Sequence, residues 1–314
     1  MSTPLIDVRG LHMAYGDTQV LTGIEFSVHR GEVVGLLGPN GAGKTTTMDI
    51  LEGFRRPSSG EVSVLGEAPT SGDEAWRARV GIVQQSWRDH AKWRVEEFLN
   101  YLGSYYRPYA TTDTVRPWPT DELLKIVGLA DSSDKQLRRL SGGQRRRLDV
   151  AVGIVGRPEL LFLDEPTAGF DPEARRDFQD LIGRLADEGA TILVTTHDLD
   201  EAEKISDRIL ILADGRIVAD GSPDRLRSRL NSTTEITWTD DVGRHVHVGV
   251  DPTAFLRSQL ADPTARMDDL EVRRSTLEDV YLSLVRRVEQ GDETETPERS
   301  AARLAAGSPQ EEER

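Results

Sequence analysis

The sequence contains no cysteine. Disulfides and cysteine-ligated metals are thereby excluded, and the composition suits a cytoplasmic protein. Positive charge is in deficit: 39 Lys and Arg stand against 54 Asp and Glu, a formal net charge of −15. A field of that sign disfavours non-specific binding to nucleic acid, so no nucleic-acid partner is expected. Long apolar runs are missing, and none approaches the ~20 residues that span a bilayer. The first residues, Met1-Ser2-Thr3-Pro4-Leu5-Ile6-Asp7, lack the basic stretch and apolar core of a secretory signal. The chain is expected to be soluble by itself. Its 314 residues suffice for one large domain and something smaller, with a core that needs no covalent staples.

What is present centres on one stretch. Gly38-Pro39-Asn40-Gly41-Ala42-Gly43-Lys44-Thr45-Thr46 fits G-x-x-x-x-G-K-[ST], the phosphate-binding loop. Before it, Val33-Val34-Gly35-Leu36-Leu37 reads as a buried strand. After it, Thr46 to Gly53 reads as a helix with Met48 and Leu51 on one face. Glycines let the backbone wrap a phosphate chain without Cβ clashes. The N–H groups of such a loop and the following helix N-terminus favour anions. Lys44 can reach the outer phosphates, and the Thr45 hydroxyl can ligate Mg²⁺.

Along the chain, Leu5 to Val8 and Ile24 to Val28 alternate like strands of an antiparallel edge. Tyr15, between them, could stack on a nucleotide base or be an ordinary half-buried tyrosine. Val80-Gly81-Ile82-Val83-Gln84-Gln85 reads as a strand ending in glutamines. Residues 86–158 turn helical, with Val95, Phe98, Leu99 and Leu102 at helical spacing. Leu140-Ser141-Gly142-Gly143-Gln144 precedes Arg145-Arg146-Arg147 and a helix through Ile154. Leu160-Leu161-Phe162-Leu163 then leads to Asp164 and Glu165, a buried strand delivering two acids at its C-terminal tip, where open α/β sheets place their ligands. Thr191 to Thr196 forms a second such strand, ending in His197. Residues 208–218 read as a hairpin around Asp214-Gly215.

Over residues 5 to about 228, this ordered set resembles the nucleotide-binding subunit of an ABC transporter. The phosphate loop is Gly38 to Thr46, Gln85 matches the metal-sensing glutamine, and Leu140 to Gln144 is the LSGGQ signature. Asp164 and Glu165 match the acidic pair. Ala168-Gly169-Phe170-Asp171 matches the dimer-contact loop, with Phe170 in place of the usual leucine, and His197 matches the switch histidine. The fold implied is α/β, a P-loop NTPase of the ABC ATPase type. It comprises a mixed central sheet, an antiparallel β edge subdomain and a helical signature subdomain at about 86–158, followed by a small α+β C-terminal unit. The resemblance also implies that each ATP lies between two subunits. Lys44, Thr45, Asp164, Glu165 and His197 would serve it from one side, and Ser141, Gly142, Gly143 and Gln144 of a second subunit would close it from the other. Thr45, Gln85 and Asp164 would hold Mg²⁺, Glu165 would act as general base, and His197 would meet the γ-phosphate and orient the attacking water. Ser275-Thr276-Leu277-Glu278-Asp279-Val280-Tyr281-Leu282-Ser283-Leu284 is similar to the closing helix of ATPases that drive type-2 exporters, the daunorubicin-resistance class among them. That similarity implies ATP-powered export through a separate membrane permease, by a homodimer or by a heterodimer with a similar ATPase, at the cytoplasmic face of the membrane.

Competing functions are weaker. Ribosome-acting ATPases of this type usually carry two such domains, DNA-acting ones a long coiled-coil insertion, and a non-hydrolysing regulator would not need Glu165 and His197. The run Arg145-Arg146-Arg147 reads as a solvated or salt-bridged helix face. His245 and His247 share a strand face but lack a visible third metal ligand. Trp87 and Trp93, beside the glutamine loop, read either as anchors for the permease or as local core. Expected boundaries are 1–228 for the nucleotide-binding domain, 231–288 for an accessory unit, and 289–314 for a disordered acidic tail.

Overall fold

Five consecutive buried residues, Val33–Leu37, form β3. A strand buried on both faces belongs in the middle of a covered sheet. In the computed structural model β3 lies between two parallel neighbours, β7 (Thr191–Thr196) and β8 (Arg208–Ala213). The full six-stranded order is β5-β6-β7-β3-β8-β9, with β5 at Val80–Val83, β6 at Leu160–Asp164 and β9 at Arg216–Gly221. Only β9 runs antiparallel, pairing with β8 as the Asp214-Gly215 hairpin, so the sheet is mixed as expected. The structure describes residues 3–83, 91–167, 170–230, 234–240, 243–249, 252–261, 266–274 and 281.

Helices cover both faces of this sheet. They are α1 (Lys44–Leu51), α2 (Glu74–Arg77), α3 (Val95–Ser104), α4 (Thr120–Ile126), α5 (Gly142–Ile154), α6 (Pro172–Asp187) and α7 (Leu199–Ile205), followed by α8 (Pro223–Leu230). Alternation along the strands divides the core. Leu160 and Phe162 of β6, with Val34 and Leu36 of β3, pack with Met48 and Leu51 of α1. Leu161 and Leu163, pointing the other way, pack with Phe98 of α3, Leu148 of α5 and Phe178 of α6.

A second sheet, order β2-β1-β4, is antiparallel and covers the first of these faces, with β1 at Ile6–Tyr15, β2 at Thr18–Val28 and β4 at Ser59–Val64. Its first two strands are longer than the alternation predicts. Register shifts between Val8 and Leu11 and between Met13 and Ala14 break the period of two, so the sequence looks irregular where the strand merely bulges. Likewise α1 starts at Lys44 rather than Thr46, because Gly43, at φ +107, already closes the loop.

The third sheet, β11-β10-β12, comprises β10 (Thr234–Asp240), β11 (Gly243–Gly249) and β12 (Asp268–Arg274), with α9 (Pro252–Leu260) alongside. The hairpin expected around 240–243 is there, paired through Asp240 and Gly243. His247 stacks on Phe255 at 3.6 Å, and His245 Nε2 lies 2.8 Å from Asp240 Oδ1. Among the described residues no group of three His, Cys, Asp or Glu could hold a metal. The closing helix expected after Ser275 and the acidic tail lie outside the described residues, apart from Tyr281. That residue packs against the small apolar cluster that contains Leu37, Ala202, Ile209 and Leu226. Among the described residues no helix is long and apolar enough to cross a membrane.

The structure decides two readings that the sequence leaves open. Trp93 meets Tyr101 edge-on at 5.1 Å and packs into the helical part of the core, so it takes the local-core reading; Trp87 lies outside the described residues. The arginine run takes the salt-bridged reading. Arg146 is 6% exposed, its Nε donates to Pro166 O at 2.7 Å, and it pairs with Asp149. Arg145 pairs with Asp149, and Arg147 with Asp177. Burial lowers the Arg146 pKa, and the Asp149 carboxylate offsets part of that shift.

Candidate functional site

The phosphate loop runs from the end of β3 to the start of α1. Close packing explains two of its glycines. A Cβ on Gly38 would lie 2.4 Å from the Leu212 carbonyl oxygen, and one on Gly43 would lie 2.5 Å from Leu21 Cδ2. Lys44 is buried, and its Nζ donates to Gly38 O at 2.8 Å and Pro39 O at 3.3 Å. The ammonium thus staples the loop on itself. Thr45 and Asn40 are exposed at the mouth, and Ala42 is buried beneath it.

Strands β6 and β7 bring the acids and the histidine to the same place. Asp164 Oδ1 accepts from Thr195 Oγ1 at 2.5 Å. The same hydroxyl accepts from Glu165 N at 2.9 Å, so one threonine fixes both acidic positions. Glu165 leaves the strand at φ +41, a left-handed conformation that turns its side chain across the site. Its Oε1 lies 3.5 Å from Lys44 Nζ and its Oε2 3.4 Å from His197 Nδ1. Glu165 therefore joins Lys44, 121 residues before it, to His197, 32 residues after it. Gln85, Ala168 and Gly169 lie outside the described residues.

Tyr15 is 42% exposed, its hydroxyl 3.5 Å from Thr46 Oγ1. One ring face carries the Arg55 guanidinium, 4.9 Å from the centroid, which is cation–π range. Sequence reading missed Arg55, since nothing local signals that it returns to Tyr15.

It also missed Glu52, one residue beyond α1. Burial, with the Asp164 and Asp49 charges adding to it, pushes the Glu52 carboxyl up to about 8 from 4.5. Between those values the folded protein holds a proton that the unfolded chain releases. Stability from this group is full below pH 4.5 and is lost as pH rises through 8, by up to ~5 kcal/mol. In EDTA buffer, Glu52→Gln is expected to flatten the fall in melting temperature between pH 5 and pH 9. Parallel curves for the two proteins would contradict this.

The signature stands apart from the phosphate loop. Ser141 caps α5: its Oγ accepts from Gln144 N at 3.3 Å, and Gln144 Oε1 accepts from Ser141 N at 3.2 Å, a reciprocal capping box. A cavity of about 580 Å³ opens beside it, lined by Ser141, Gly143, Arg147, Phe170 and Asp171 among others, and by no residue of the phosphate loop. Among the described residues the two glycines have no steric reason. There, a Cβ on Gly142 would meet nothing within 4 Å, and one on Gly143 only Ala174 Cβ at 3.9 Å; neither has positive φ.

A family described as ABC transporter matches residues 21–168. The daunorubicin/doxorubicin resistance ATP-binding protein DrrA of Streptomyces peucetius is 36% identical over 312 residues, covering 90% of this chain and 92% of that one. A Nod factor export ATP-binding protein I of Ralstonia nicotianae is 41% identical over 226 residues, 72% of this chain and 69% of that one. Among solved structures, cbiO1 from Clostridium perfringens, part of the ABC transporter complex cbiONQ, superposes with a TM-score of 0.62 at 29% identity, over 72% of this chain and 92% of that one.

Proposed function

The chain belongs to the ATP-binding subunits of ABC transporters, and from that premise we propose that it hydrolyses ATP at a site shared by two subunits to drive export through a separate membrane permease. The observation that carries the chemistry is the convergence of Lys44, Glu165 and His197 at the ends of three parallel strand connections. With ATP in the loop, Lys44 exchanges the Gly38 and Pro39 carbonyls for the outer phosphates. Glu165 accepts a proton from the water that attacks the γ-phosphorus, the bond to the ADP oxygen breaks, and phosphate leaves. His197, with Nδ1 3.4 Å from Glu165, orients that water and contacts the γ-phosphate. Hard oxygen donors suit Mg²⁺, and the exposed Thr45 hydroxyl, Asp164 and Gln85 are the groups that would hold it. When bound, the ion neutralises charge on the β- and γ-phosphates. Tyr15, its ring partly exposed, would stack on the base.

Ser141, Gly142, Gly143 and Gln144 serve the second subunit's ATP. A glycine pair that no described residue of its own chain requires fits a surface that a neighbour approaches closely. The second subunit is another copy or a similar ATPase. Its cargo is a drug, antibiotic or lipid-like compound, as the names of its relatives suggest, and its place is the cytoplasmic face of the membrane. ATP-dependent cargo uptake into inside-out vesicles from the native host tests this. Uptake should disappear when the chain is deleted and return when it is added back. An active ATPase that neither binds those vesicles nor restores uptake would contradict the export reading.

A further inference from the structure

The turn that carries His197 is held by a buried acid outside the catalytic set. Glu201, on the first turn of α7, is 1% exposed. Its Oε2 accepts from Thr196 Oγ1 at 2.6 Å. That hydroxyl in turn accepts from Asp198 N at 3.0 Å, so the residues on both sides of His197 are tied to one carboxylate. The side chain is not needed to start the helix. Asp198 already does so, accepting from Glu201 N at 3.1 Å, and Asp198 is itself bound by Arg175 of α6 at 2.6 Å.

Burial pushes the Glu201 pKa up, and the Thr196 hydroxyl offsets part of that shift. The carboxylate is held through one oxygen: Oε2 takes the Thr196 bond, and Oε1 has no hydrogen-bond partner among the described residues. Burying a carboxylate on one hydrogen bond is costly, so packing alone does not account for the residue.

We propose that Glu201 is a positioning residue that fixes the turn carrying His197 and so sets the histidine for the γ-phosphate. Loss of its carboxylate frees the Thr196 hydroxyl and, with it, the Asp198 N–H beside the histidine. The inference rests on His197 serving the γ-phosphate, and the test separates the two claims. Steady-state phosphate release is measured with the full chain, using radiolabelled ATP so that slow variants remain measurable. Glu201→Ala should lower kcat about tenfold with KM for ATP within about twofold. Glu201→Gln, whose amide oxygen still accepts from Thr196, should recover to within about threefold of wild type. In a His197→Ala background, Glu201→Ala should add less than about twofold, because the two act as a unit. Thr196→Val removes the same hydrogen bond with little change in volume and takes the place of Glu201→Ala in this cycle if that variant does not fold. Independent, additive losses, or a Gln variant as impaired as Ala, would overturn the coupling. A His197→Ala chain with wild-type kcat would instead overturn the role given to the histidine.

Discussion

Glu165→Gln is expected to slow steady-state phosphate release at least ~10²-fold, equivalent to ~2.7 kcal/mol of barrier, while ATP still binds. The amide keeps the size and the hydrogen bond from the backbone, since Glu165 N rather than its side chain is what Thr195 holds. It loses the basic oxygen 3.4 Å from His197 and the charge 3.5 Å from Lys44. Losing that charge removes a competitor for the lysine, so ATP affinity should stay the same or rise. Equilibrium binding and phosphate release on the same preparation separate the two effects. A near-wild-type rate would remove Glu165 from the role of base.

Ser141→Arg is expected to have a comparable effect on turnover, ~10²-fold or more, by a different route. Ser141 lies beside a cavity that shares no residue with the phosphate loop, so the substitution should leave ATP binding to a single chain unchanged. In a closed pair the added guanidinium would be buried against the second subunit, where an unpaired charge costs several kcal/mol. Loss of the Oγ cap on Gln144 adds about 1 kcal/mol of local destabilisation. ATP affinity measured on the monomer should therefore match wild type while hydrolysis is lost. Parallel loss of both would place the signature in the chain's own binding site.

Much of this site was legible because its signals are local. The phosphate loop, the signature and the acids at the tip of β6 each depend on spacing within a few residues, and the structure puts Lys44, Glu165 and His197 together as the order of motifs implied. The sheet order was legible only in kind. Bulges hid the true length of β1 and β2, and the φ of Gly43 moved the start of α1 by two residues. Arg55, Glu52, Arg146 and Glu201 were not legible, because each takes its meaning from a partner distant in sequence. Arg55 lies over Tyr15, Glu52 feels Asp164, Arg146 reaches Pro166 from the middle of a run that reads as a solvated or salt-bridged face, and Glu201 is fixed by burial that no periodicity announces.

The central claim is that one ATP site is built from two chains. Light scattering on the Glu165→Gln chain, with and without MgATP, tests it most directly, because that variant binds the nucleotide without consuming it. The account predicts the monomer mass without nucleotide, twice that mass with MgATP, and the monomer mass again with MgATP when Ser141→Arg is added. The same mass with and without MgATP would contradict it.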